Sequence, residues 1–407
     1  MGNKTILCIL VAAMAFLSCQ PDIQMVSLGV DDTYYIYRMQ KIKLSPAFAG
    51  DEYRWYIKDG QGRDSLVSSD REYIFLVADE GAYVLTVEIV GGGEQYVHCC
   101  TVNVLHEEVE YSPYIASVYE YRPAPGQFVN LMPQYEDGDT EESMRKKAEE
   151  CISGTNDIMI TLGAYGGYVT FGFDHTVMNI PGEKDFLIQG NAFYSDIPSY
   201  ENEQGGSSEP GIVMVSYDTN MNGKPDDEWY ELAGSEYNAP ATVYDYRIVY
   251  HRPDPGKEPL PDFTGTMTDQ TYIPWTDNQG NSGYVAKNMY HSQSYYPMWT
   301  DDDELAFEGT LLPPNGKDES GFGAYWVLYA YPWGYVDNQP NEEEDLISFD
   351  IDWAVDRDGN PVHLPGVDFV RVYTGVNQYC GWLGETSTEI SHARDLHISE
   401  YGGIDFD

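Results

Sequence analysis

The feature that most constrains the fold is a period of two. Apolar and polar residues alternate in short runs bounded by Gly, Pro, Asn and Asp, as in Asp79-Glu-Gly-Ala-Tyr83-Val-Leu-Thr-Val87 and Tyr168-Val-Thr-Phe-Gly-Phe173. Successive side chains of a strand point to opposite faces, so this pattern predicts many short, half-buried strands. Helical periodicity is rare, while 39 Gly, 23 Pro and 35 Tyr supply turns and strand-favouring side chains. One segment departs from the rule. Asp139 to Cys151 reads as a helix, with Thr140 as N-cap, Ser143 at the third position, Glu141 and Glu142 at the positive helix start, and Met144, Ala148 and Cys151 on one face.

The chain begins as an exported protein would. Lys4 precedes an apolar run from Ile6 to Leu17, and Ser18-Cys19 follows. That run is too short to span a bilayer and reads as a secretory leader. The small residue before Cys19 marks that thiol for lipidation, so residues 1–19 are expected to be a lipoprotein signal and 20–25 a polar tether. This places the protein at a Gram-negative outer membrane, held by lipid alone and expected to face the cell surface.

Residues 26–106 then resemble an immunoglobulin-like spacer of the PKD type. Trp55 lies on an alternating strand, and Asp79-Glu-Gly-Ala-Tyr83 has the spacing of a tyrosine corner. Residues 107–400 read as a larger jelly-roll-like β-sandwich carrying the ligand site. Its middle, Arg252 to Lys317, is expected to be a loop-rich insertion.

A formal net charge of −45 argues against nucleic acid or an anionic lipid surface as partner. Beyond the leader and Cys19, four cysteines remain: Cys99, Cys100, Cys151 and Cys380. An oxidising envelope allows three pairings of four cysteines, and a Cys151–Cys380 bridge is the expected one.

No G-x-S-x-G, H-E-x-x-H or phosphate-cradling loop is present, and the eight His are scattered. The chain is therefore read as non-catalytic. Asp218-Thr-Asn220-Met-Asn222-Gly223-Lys-Pro-Asp226-Asp227 places oxygen donors at alternate positions, with Gly at the sixth. That is the first part of an EF-hand-type loop, so Asp218, Asn220, Asn222, Asp226 and Asp227 are the candidate ligands of a structural Ca2+. Trp229 stands where the closing Glu would be, so other groups must complete the shell. Asp356-Arg-Asp358-Gly359-Asn360 reads as a plain tight turn. Aromatics from Tyr272 to Tyr335, with Trp382, are interleaved with Asn, Gln and Asp, as at sites for flat or ring-shaped polar ligands. The loop-borne subset Trp275, Tyr295, Tyr296, Trp299 and Trp333 is the candidate ligand face.

Several strings occur together: Tyr121-Arg-Pro-Ala-Pro-Gly-Gln-Phe-Val-Asn130, Gly166-Gly-Tyr-Val-Thr-Phe-Gly-Phe-Asp-His175, Gly190-Asn-Ala-Phe193, Ser208-Glu-Pro-Gly-Ile-Val213 and Gly381-Trp-Leu-Gly-Glu-Thr-Ser-Thr-Glu389. Together they resemble a Bacteroidetes surface lipoprotein family in which a PKD-like module precedes a β-rich domain. The resemblance is to lipoproteins of cobalamin (vitamin B12) acquisition. It implies capture of a corrinoid for a TonB-dependent outer-membrane transporter. A glycan-binding lipoprotein of a polysaccharide-utilisation system would carry the same anchor, spacer and aromatic loops.

Overall fold

The computed structural model describes residues 28–58, 62–106, 110–195 and 204–399. Cys19 and the tether lie outside them. The chain divides into two compact units, Met1–His106 and Glu107–Asp407. Among the described residues it is an all-β architecture with one α-helix, Glu141–Ile152.

In the smaller unit five strands form a sheet in the order Thr33–Tyr37, Glu94–Leu105, Gly81–Gly91, Glu52–Lys58, Asp64–Ser68. A separate pair, Ile42–Leu44 with Tyr73–Phe75, supplies the second layer. Alternation sorts the faces: Leu85, Val87 and Ile89 point inward beside Cys100, Val102 and Val104, and Trp55 is fully buried among them. Truncating a ring buried this completely costs about 3–5 kcal/mol. The Trp55 indole N–H donates to Asp70 O at 3.1 Å, which spares it a buried orphan donor. Tyr83 donates its hydroxyl hydrogen to Asp79 O at 3.0 Å, closing the tyrosine corner.

The larger unit is a sandwich. Its main sheet is antiparallel, in the order Ala354–Val355, Trp229–Leu232, Gly211–Ser216, Phe369–Thr374, Tyr168–Gly172, Ser117–Arg122. Facing it is a second antiparallel sheet, Ser282–Asn288, Met267–Asp277, Val243–His251, Glu304–Leu311. Ile212 and Tyr373 from the first share one core with Ile248, Tyr250, Ile273, Val285 and Phe307 from the second.

Three strands of that second sheet fall inside 252–317, so the expected loop-rich insertion is half of the sandwich. Tyr272-Ile273-Pro274-Trp275 carries strong strand formers, and Asp277 to Asn281 turns the chain by accepting Asn281 N at Asp277 Oδ1, 2.7 Å. The abundance of Asp, Asn and Pro masked the alternation.

The helix packs on Ser117–Arg122 through Met144, Ala148 and Ile152, with Cys151 only half-buried. Thr140 and Ser143 form a reciprocal capping box. All four described cysteines, Cys99, Cys100, Cys151 and Cys380, are free thiols, which corrects the expected Cys151–Cys380 bridge. Cys380 instead sits buried, with its sulfur in the space a Gly316 side chain would fill.

Candidate functional site

Two loops build a cavity in the larger unit. Asn288 ends a strand of the second sheet, and its Oδ1 accepts the N–H groups of Tyr290 and His291, both at 3.0 Å, curling the chain outward. Beyond Phe369–Thr374 the chain runs on through Cys380 to Glu389, with a short 3-10 turn at Gly381–Leu383. Gln127 ties the two loops. Its Nε2 donates to Leu383 O at 2.8 Å, and its Oε1 accepts Asn288 Nδ2 at 2.9 Å.

Between them opens a cavity of about 370 Å³, lined by Gln127, Phe128, Asn191, Ser207, Glu209, Asn288, Tyr290, His291, Trp382, Glu385, Thr386 and Glu389 among others. Tyr290 and Trp382 stand at its rim, 61% and 41% exposed, edge to face with centroids 6.4 Å apart. Phe128 and His291 make a second edge-to-face pair at 4.7 Å.

Glu209, Glu385 and Glu389 line the floor, and Asp337 lies behind them within reach of Glu209 and Glu389. Asp337 sits at φ +54°, a left-handed conformation that Asp tolerates, and accepts Asn191 N at 2.6 Å and Glu389 N at 2.9 Å. Gly190 must be glycine here, because a Cβ would lie 2.4 Å from Asp337 Oδ1. Glu389 Oε1 accepts the Thr161 and Ser387 hydroxyls at 2.9 and 2.8 Å. Glu209, directly before the strand Gly211–Ser216, donates its backbone N–H to Asp337 O at 2.7 Å.

Burial pushes the Glu209, Asp337 and Glu389 carboxyls above the usual range, and for Glu209 and Glu389 the neighbouring carboxylates push further. Burial also lifts Glu385 to about 7, against the opposing hydrogen bond from Gln127 N.

The aromatic set chosen from the sequence is spread over several places. Tyr295 and Tyr296 are core side chains, 0% and 2% exposed, and their hydroxyls are engaged by Asn288 N and Asp302 O. Trp275 lies on the strand Met267–Asp277 and packs on the same core. Trp299 stacks between Tyr121 and Tyr135, while Trp333 leans on Trp353 at 4.6 Å. Tyr295 and Tyr296 therefore offer no face to a ligand, Trp275 and Trp299 are part-buried, and Trp333, 38% exposed, lies outside the lining of the cavity rimmed by Tyr290 and Trp382.

The Asp218 loop, in contrast, gathers its five residues. Asp218 accepts Asn222 N and Gly223 N at 3.1 and 2.8 Å, and Asn220 and Asn222 donate their amides to Asp226 at 3.0 Å. Asn220 also reaches Asp227 at 3.1 Å. An oxygen-only donor set in one tight loop suits a hard cation. Asp356 accepts the N–H groups of Asp358 and Asn360 at 2.9 and 2.8 Å, the tight turn expected there.

Fold and cavity together define a β-sandwich protein with an aromatic-rimmed, acid-floored cavity. No family model and no curated protein matches the chain. Among solved structures it aligns with a SusE-like protein at 10% identity, covering 90% of this chain and 95% of that one, with a TM-score of 0.24. It also aligns with a structure titled for carbohydrate-binding modules of the β-sandwich superfamily, at 10% identity, 88% and 91% coverage and a TM-score of 0.15. Superpositions this loose carry nothing about what the chain binds.

Proposed function

We propose that this chain is a non-catalytic, lipid-anchored surface protein that captures a saccharide in the cavity rimmed by Tyr290 and Trp382. The pairing of exposed rings with inward amides and carboxylates in one open cavity is the observation that carries the reading. A sugar presents an apolar face of C–H groups and a rim of hydroxyls. Ring faces cover the first, while Gln127, Asn191, Asn288 and Glu209 offer partners to the second. The lipid at Cys19 and the smaller unit would hold this site away from the membrane, with Ca2+ in the Asp218 loop stiffening the scaffold.

A cavity of about 370 Å³ is small for a corrin macrocycle with its appended nucleotide, which weighs against the corrinoid that the family resemblance implies. The test is migration through native gels containing soluble polysaccharides, beside calorimetric titration with cyanocobalamin. Retardation by at least one polysaccharide that is lost in Trp382→Ala supports the reading. Free migration in every gel, or heat only with cyanocobalamin, sinks it.

A further inference from the structure

The floor of the cavity gathers carboxyl groups, and among the described residues no Lys or Arg pairs with them. One oxygen each of Glu209, Asp337 and Glu389 lies within 4.8 Å of the others, and Asp337 and Glu389 are 1% and 2% exposed. The three arrive from segments far apart in sequence, so the close approach is a product of the tertiary fold. Every hydrogen bond identified to their carboxylates comes from an amide or a hydroxyl: Asn191 and Glu389 backbone N–H on Asp337, the Thr161 and Ser387 hydroxyls and the Asn191 side-chain amide on Glu389, Ser387 N–H and the Ser207 hydroxyl on Glu209.

A fourth carboxylate lines the same cavity. Glu385 is 5% exposed; its Oε1 accepts Gln127 N at 2.6 Å, and its Oε2 is buried with no hydrogen-bond partner among the described residues. A buried carboxylate oxygen without a donor is costly, and so are carboxylates crowded together beside it, unless protons or a cation offset the charge.

We propose that Glu209, Asp337 and Glu389 bind a hard divalent cation of the calcium class at the floor of the cavity. The donors are oxygens only, which excludes the soft, thiolate- or imidazole-seeking metals. Carboxylates that can each bind through one oxygen or two suit calcium's six to eight flexible ligands better than magnesium's strict octahedron. Partly exposed Glu209 sets the cation at the cavity surface, where water or a ligand hydroxyl completes the shell. This inference stands apart from the saccharide reading, since the cation is measured with no saccharide present.

The experiment is calcium-45 equilibrium dialysis at pH 7.5 on the full chain after chelator treatment, with wild type, Glu389→Gln, Glu209→Gln and Asp218→Asn compared. Glu389→Gln and Glu209→Gln are each expected to lose one bound calcium per chain, and Asp218→Asn to keep that one. Glu209→Gln, at the accessible edge, carries the test should Glu389→Gln fail to fold, with near-UV circular dichroism as the control. Calcium binding undiminished in folded Glu209→Gln, or no calcium bound by wild type at millimolar concentration, overturns the proposal. Equal displacement of this calcium by equimolar magnesium overturns the calcium assignment.

Discussion

Raising the pH is expected to unlock the larger unit through His175. Its ring is fully buried, with Nδ1 2.7 Å from Asp174 Oδ1 and Nε2 2.7 Å from Asp395 Oδ2. An acceptor on each nitrogen requires both to carry hydrogen, which is the charged imidazolium. Burial alone would lower its pKa, but the hydrogen bonds to Asp174 and Asp395 and their charges carry it up to about 9. Tyr111 and Phe173 pack on the ring and add no charge at neutral pH.

A folded pKa above the unfolded one gives stability that is complete below about pH 6.5 and is lost as pH rises to about 9. At 1.36 kcal/mol per unit, the loss is about 3 kcal/mol. Trp55 is the single tryptophan of the smaller unit and seven lie in the larger, so tryptophan fluorescence in urea follows mainly the latter. Raised carboxyls such as Glu385 add a slope of the same sign to every variant, and the comparison with His175→Gln removes it. Wild type should lose about 3 kcal/mol more than His175→Gln between pH 6.5 and 9. Parallel pH profiles for the two proteins would refute the assignment of the charge to His175.

Three smaller perturbations follow from the same contacts. Trp382→Ala should weaken saccharide binding by about tenfold, which is about 1.4 kcal/mol, with far-UV circular dichroism unchanged. Tyr83→Phe removes the corner hydrogen bond to Asp79 and should cost the smaller unit about 1 kcal/mol, read from faster hydrogen exchange in Gly81–Gly91. Thr140→Ala removes half of the capping box and should cost about 1 kcal/mol, with exchange quickening at the first turn of Glu141–Ile152.

The local features were legible because their physics is local. Thr140 and Ser143 announced the helix start three residues apart, the tyrosine corner spans Asp79 to Tyr83, and the strand Gly211–Ser216 was readable as an unbroken apolar run. The sheet inside 252–317 was hidden because its turns are rich in polar residues and its strands carry Tyr, Thr and Trp on both faces.

The cavity was illegible for a different reason. Glu209, Asp337 and Glu389 are 128 and 52 positions apart and were three acids among 67 until the fold joined them. Glu209 and Glu389 did stand inside strings that drew notice, and Trp382 among the interleaved aromatics. Tyr295 and Tyr296 carried the stronger polar-aromatic pattern, yet their hydroxyls find backbone partners within the core and leave the rings free to be buried.

One pairing in the smaller unit governs how it would bear a load. Thr33–Tyr37 runs parallel to Glu94–Leu105, in register from Thr33 opposite Thr101 to Tyr37 opposite Leu105. The chain therefore enters the first strand at one end of the ladder and leaves the last strand at the other. Pulling the two termini apart slides these strands past each other, so the inter-strand hydrogen bonds are strained together in shear. A hairpin pulled at its open end would yield one bond at a time. For a module proposed to link a lipid tether to the larger unit, that connectivity would make the linkage hard to draw out.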